Sequence, residues 1–424
     1  MRTLRFSINV KAVDSYLYGG YLFLALEDGA LGYIPMSRIM HRLKERYPEF
    51  TSLLRLAFER NDFFSNETGK TFLGIPEVMK VMMKLWNFAS ESVDFCLDFD
   101  ELEDDFYVID YIKSFPILDL KMYAMTLFVG CKDGLLESRL NLGDDNYSIA
   151  PGKFRKKFDA KIIGLNACCG SIVLSAGKDG LFFGPFDMDE GIVVNERPVD
   201  DVSYRTGWSS TDIVNYKSSS DFEYLTNIVE KFEDKPLFSK YDERSERKRI
   251  VQLGEQKYGM RQLFKTDIFD INDIVYAFNG SSSSFVLTKQ GLYNMSFIKT
   301  QDDIHLSQRV YELSLFDKKN RKFEKPISAS VVPAGCVIEF YDKVVAVKNN
   351  QVIELETEPA YSVRTYMNSF RYRNMVGVTK QDVMTIHSLD PFDTYNYNRE
   401  TGNFIYVGKE RYAYKDSSSE ELPF

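Results

Sequence analysis

An all-β fold assembled from one repeated unit is what this chain predicts, and three observations carry the prediction. A strand–turn–strand unit built on Asp-Gly is written three times, over Tyr21 to Leu31, Thr126 to Leu136 and Ser171 to Phe183. In each copy an apolar run enters Asp-Gly and another leaves it; such a turn needs positive φ, which Gly supplies without a steric penalty. The second and third copies lie about 45 residues apart, the length of a four-stranded repeat unit. Phe (33) and Tyr (26) are abundant, as a pleated, half-buried surface favours.

Taken in order, residues 1–35 read as strands: Leu4, Phe6, Ile8 and Val10 alternate, Gly19-Gly20 turns, and the first Asp-Gly hairpin follows. From Met36 to about Asn87 the period changes to helical. Ile39, Leu43 and Tyr47, then Phe50, Leu53, Leu54, Ala57 and Phe58 recur at helical spacing. Pro76 opens a last piece on which Val78, Val81, Met82 and Leu85 share a face. Residues 36–87 are therefore expected to form an insertion of two or three helices. Met79, Met82 and Trp86 are its candidate partner-binding residues, against the plainer reading that they pack the insertion onto the sheets. The acidic, aromatic stretch 93–112 lacks the turn Gly of a calcium loop and is expected to be a solvated loop entering a strand at Phe106.

From 117 to 195 the β-pattern is clearest. Strands are expected at Leu118–Met122 and Lys161–Leu165, with a turn at Asn141–Asp145 and a close at Gly184-Pro185. The run Asp212–Tyr216 reads as the next equivalent strand. Residues 222–261 read as a second insertion, charged and partly helical, carrying the mixed-sign run Lys240–Arg249. Strand text returns at Ser284–Tyr293, Lys343–Ile353, Asn374–Ile386 and Asn403–Tyr414, and residues 415–424 read as a flexible tail.

The copies resemble β-propeller repeats: a strand, a turn of the Gly-Lys-Asp-Gly kind at 177–180, and a Leu-Phe strand. They lack the Gly-His and Trp-Asp pair of the best-known propeller repeat and the Gly-Gly pattern of kelch repeats, so the resemblance is to an architecture and not to a family. Setting the two insertions aside leaves about 330 residues, room for about seven blades. A propeller needs both chain ends in one blade, because an open edge exposes unpaired backbone. Leu4–Val10 with Phe404–Tyr414 is the expected clasp. The alternative architecture is a pair of β-sandwich domains with helical insertions.

Chemistry is harder to find. The formal net charge of −9 argues against a nucleic-acid footprint over the whole surface. Five cysteines without metal-ligand spacing, and no apolar run of the ~18 residues a membrane helix needs, lead to the expectation of a reduced, cytoplasmic protein. His41, His305 and His387 lie in separate units, and no phosphate-binding Gly-Lys-Ser/Thr or Gly-x-Ser-x-Gly occurs. No cofactor, metal or catalytic residue is assigned. One constellation invites a ligand: Ser203-Tyr-Arg205, with Trp208, and Ser369-Phe-Arg371-Tyr-Arg373, with Arg364 upstream. Each Ser-aromatic-Arg run precedes a strand, so the two are expected at equivalent blade positions. Arg forks and aromatic faces suit a small anionic or nucleotide ligand; the plainer reading is cross-blade pairing. The expected function is a protein–protein interaction scaffold or adaptor. An anionic-ligand sensor using Arg205, Trp208, Arg364, Arg371 and Arg373 is the second reading, and a carboxylate-based hydrolase or lyase the third.

Overall fold

Seven small sheets of four or five strands, nearly all antiparallel and mostly meanders in chain order, build the described chain, with one two-stranded ribbon beside them, the all-β pattern of propeller blades. The structure is a computed structural model. It describes residues 3–392 except 65, 113–116, 143–148, 152–153, 169, 188–190, 196, 210–211, 226–227, 237–244, 254–256, 260–268, 280–282, 290, 300–303, 308–324, 334, 349–350, 368 and 391. The expected strand at 403–414 and the expected tail at 415–424 lie outside the described residues.

Sheet I is Ala12–Tyr18, Tyr21–Leu26, Ala30–Pro35 and Tyr107–Tyr111. Sheet II is Ile117–Tyr123, Thr126–Cys131 and Gly134–Leu142, the last paired with both Ile149–Pro151 and Arg155–Phe158. Sheet III is Gly164–Cys168, Ser171–Ser175, Leu181–Asp187 and Gly191–Ile192. Sheet IV is Arg205–Ser209, Asp212–Tyr216, Phe222–Leu225 and Lys257–Gly259. Sheet V is Ile274–Asn279, Ser283–Thr288, Leu292–Lys299 and Ile304–Ser307. Sheet VI is Ser328–Val332, Gly335–Glu339, Val344–Lys348 and Gln351–Glu356. Sheet VII is Ser362–Thr365, Met375–Thr379, Val383–Leu389 and, from the start of the chain, Thr3–Asn9.

The chain divides into two compact units: residues 1–111, 290–292 and 311–424 form one, and residues 112–289 and 293–310 the other. In the second unit the first strands of sheets II, III, IV and V neighbour one another in turn. In the first unit the opening strand of sheet VII touches those of sheets VI and I. Successive meanders meeting along their first strands are blade packing, not the face-to-face stacking of a sandwich. The second strands are apolar at almost every position because both faces are covered: Thr126–Cys131, Ser171–Ser175 and Met375–Thr379 are buried throughout.

The Asp-Gly turns sit between second and third strands, as their sequence requires. Gly134 has φ +146, and a Cβ there would lie 2.0 Å from the Phe158 carbonyl oxygen. Gly180 has φ +110 and would meet the Asp200 carbonyl oxygen at 2.4 Å. Both positions exclude a side chain by conformation and by space.

The helical text folds as α1 (Met36–Arg46), α2 (Thr51–Leu54) running into a π-turn at Arg55–Glu59, α3 (Glu67–Leu73) and α4 (Pro76–Ser92). Asn66 caps α3 by accepting from Gly69 N–H at 2.7 Å, and Pro76 takes the first turn of α4, where its missing N–H is harmless. After α4 the chain adds Phe95–Asp98 as a parallel fifth strand outside Thr3–Asn9. Phe58 meets Phe6 edge-on at 4.8 Å, which seats the insertion on sheet VII.

Three expectations need correction. The partner of the N-terminal strand is Val383–Leu389, in the register Thr3 with Leu389 to Asn9 with Val383. The described residues of the stretch 222–261 are strand, not helix: Phe222–Leu225 and Lys257–Gly259 belong to sheet IV, and Ile228–Pro236 pairs with Ser245–Leu253 as a two-stranded ribbon. The strand expected at Lys161–Leu165 starts only at Gly164.

Candidate functional site

The arginines named from the sequence divide between the units. In the second unit Arg205 lies on the first strand of sheet IV, with its guanidinium carbon 4.3 Å from the ring centres of both Tyr216 and Tyr276. It donates to the Ala277 carbonyl at 2.6 Å. Trp208, three residues on, is buried among Val173, Leu181, Phe183, Ile213 and Leu225, and its backbone carbonyl accepts from Asn279. Arg205 is half-buried between the two rings and Trp208 is buried.

In the first unit Arg364 donates from Nε to Asp14 Oδ1 at 3.0 Å and from its fork to Oδ2, a bidentate pair joining sheets VII and I. Arg371 donates from Nε to the Glu59 carbonyl at 3.1 Å. Tyr372, between them in sequence, accepts from Gly20 N–H at 2.8 Å. Arg373 is different. Its Nε is buried with no acceptor, it has no ion pair among the described residues, and burial alone lowers its pKa. The two Ser-aromatic-Arg runs are not equivalent. Arg205 opens a strand, whereas Arg371 and Arg373 sit in a turn closed by Arg373 N–H on the Ser369 carbonyl, after the strand Ser362–Thr365.

A second polar cluster was not foreseen. His387, fully buried in the third strand of sheet VII, lies with Nε2 2.9 Å from Glu356 Oε1 on sheet VI. Lys380 donates to Glu356 Oε2 at 2.7 Å and reaches Glu358 at 3.0 Å. Burial would raise the Glu356 carboxyl, but His387 and Lys380 hold it at about 2. Burial lowers His387 despite the carboxylate beside it. The pair is sealed from solvent (1% and 5% side-chain exposure), so it links two blades and offers no surface to a substrate. Among the described residues no group of three or more His, Cys, Asp or Glu side chains is placed to hold a metal ion.

The helical insertion carries the exposed feature. Of the residues named for it, Trp86 is fully buried, edge-on to Phe64 at 6.3 Å and to Phe392 at 5.7 Å, and Met79 is 8% exposed. Trp86 therefore packs the insertion and gives a partner no surface; Met82 is half-buried. Exposure falls instead on their neighbours: Phe72 53%, Ile75 45%, Val81 63% and Phe88 57%. A groove of about 410 Å³ opens between the end of α3 and α4, lined by Leu73, Pro76, Met79, Lys80, Met83, Lys84 and Asn87. The signal was present in the sequence. α4 places apolar residues at Val78, Met79, Val81, Met82, Met83, Leu85, Trp86 and Phe88, more than one face of a helix can bury. Among the described residues no helix is long and apolar enough to cross a membrane.

No family model and no curated protein matches the chain. Solved structures do. The computationally designed Ika8 protein aligns with 92% of this chain and 100% of its own, at 6% identity and a TM-score of 0.41. The β-propeller domain of Cps50 (Swd1) from Myceliophteria thermophila aligns with 90% of this chain and 97% of its own, at 8% identity and a TM-score of 0.45. The AfRom2 CNH domain aligns with 65% of this chain and 95% of its own, at 12% identity and a TM-score of 0.34.

Proposed function

We propose that this chain is a protein-interaction scaffold whose docking surface is the helical insertion. One observation carries the reading: the two helices that form the groove, with the turn between them, also carry Phe72, Ile75, Val81 and Phe88 exposed. A single exposed apolar residue needs no explanation, but four large ones on two neighbouring helices and their turn, which also form a concavity, favour an interaction site. The insertion also buries Ala57, Phe58, Leu53 and Trp86 completely, so it is a rigid mount for that surface. Deleting 36–87 would strip this core, and surface substitution is the cleaner test. Tagged wild type and the Phe72→Glu/Val81→Glu variant are purified from the native host and their bound proteins compared by mass spectrometry. The reading expects a stoichiometric partner on the wild type that is lost from a variant with unchanged thermal unfolding. An identical set of bound proteins on both would overturn it.

A second reading has one observation in its favour. Of the four named arginines Arg373 is the one whose guanidinium has no described acceptor, as an anion subsite would be. Inorganic phosphate would then raise the unfolding temperature of wild type and not of Arg373→Met; equal shifts would remove this reading.

A further inference from the structure

Resting on the docking reading above, we infer that the groove beside α4 takes an acidic amphipathic helix of a protein partner. The floor is apolar and adaptable: Leu73, Met79 and Met83 lie at 2%, 8% and partial exposure, and unbranched Met side chains reshape around an inserted residue. The rim is cationic. Lys80 and Lys84 are exposed, stand one helical turn apart and have no carboxylate partner among the described residues. In a chain of net charge −9, two unpaired lysines bordering this apolar floor select for negative charge. Their i, i+4 spacing matches carboxylates placed i, i+3 or i, i+4 on a facing helix. The acidic residues on α4 are Glu77 and Glu91, outside the Lys80–Lys84 turn.

A helix is favoured over a strand because the groove is walled by helices whose backbone groups are bonded internally. It offers side-chain holes and no open ladder for β-addition. An anionic bilayer is disfavoured: two lysines are few for an interfacial helix, and the acidic body would be repelled by such a surface.

The test uses the full chain and two labelled model helices with the same leucine stripe, one carrying glutamates and the other lysines. Fluorescence anisotropy is expected to show the Leu/Glu helix binding about tenfold or more tighter than the Leu/Lys helix, and weakening as salt is added. Lys80→Glu/Lys84→Glu is expected to invert the preference, and Met83→Glu to abolish both. Equal affinities, a preference for lysines, no effect of the charge reversal, or saturable binding of neither helix would overturn the inference. So would binding to phosphatidylserine vesicles with no binding of either helix, or a concentration-dependent dimer that Met83→Glu dissolves, which would name a second copy as the occupant. Equal affinities lost in Met83→Glu would end the charge preference and leave the docking reading standing. An unchanged partner set in the Phe72→Glu/Val81→Glu purification would end that reading itself.

Discussion

His387 shows how burial decides a single side chain's state. Its Nδ1 has no partner, so a proton there would be a buried donor with no acceptor, while Nε2 can donate to Glu356 at 2.9 Å. The neutral ring is the form that fits, with Arg5 opposite it in the ladder and Lys380 on the shared carboxylate both opposing a positive charge. Its folded pKa lies below the ordinary 6.5, so as pH falls below that value the unfolded chain binds a proton the folded chain refuses, and stability drops. Glu356, held at about 2 against an ordinary 4.5, adds a second loss of the same sign between those values. Urea midpoints are expected to fall from pH 7.5 to 5 and again towards pH 3. His387→Gln, which keeps an amide donor for Glu356, should flatten the first fall and leave the second. The arginines give a paired test. Arg364→Met strands the buried Asp14 carboxylate and should cost about 3–5 kcal/mol in urea unfolding. Arg373→Met removes a desolvated charge with no counter-ion and should be neutral or slightly stabilising. A cost for Arg373→Met equal to that for Arg364→Met would show that the guanidinium is held by a partner in solution.

At the scale of elements, the join between insertion and blade rests on Asn61. Fully buried, it donates to the Ala57 carbonyl at 2.9 Å and to Ser388 Oγ at 3.2 Å, and accepts from Asn374 at 3.0 Å. Asn61→Ala would leave the Asn374 amide unsatisfied inside the protein and is expected to cost about 2–4 kcal/mol. Hydrogen exchange should then rise in α2 and the π-turn before it rises in sheet VII; uniform exchange would mean that the insertion does not open on its own. What was legible here follows from range of interaction. The Asp-Gly hairpins and the helical period are local signals, and the structure has strands and helices where they stand. The pairing of Ile228–Pro236 with Ser245–Leu253 was misread because a mixed-sign run looks like a solvated helix. The fold sets Glu233 opposite Lys248 and Asp234 opposite Arg247 across two strands, which no local pattern reveals. The groove was half legible: the apolar excess of α4 was there to count, but which side faced the blade depended on Phe64 of the same insertion and on Phe392, far along the chain, both meeting Trp86.

At the scale of the whole chain, sheet VII depends on residues nearly four hundred positions apart in sequence, Thr3 with Leu389 at one end of the ladder and Asn9 with Val383 at the other. The sequence expected a shared blade but not its partner strand, since Asn374–Ile386 and Asn403–Tyr414 are equally β-like locally and only long-range pairing chooses between them. The N-terminal strand is bonded on both sides, to Val383–Leu389 and to Phe95–Asp98. Removing it would expose two strand edges and uncover Phe58, which packs on Phe6. A chain lacking residues 1–10 is therefore expected to be expressed as aggregate, or as monomer that unfolds well below wild type. A synthetic peptide of residues 1–11 added in trans should restore the unfolding temperature, and a peptide with Phe6→Asp and Ile8→Asp should not, because both side chains are fully buried. A truncated chain that unfolds at the wild-type temperature without peptide would show that the ladder from Thr3 to Asn9 is dispensable, and with it the shared blade that this architecture requires.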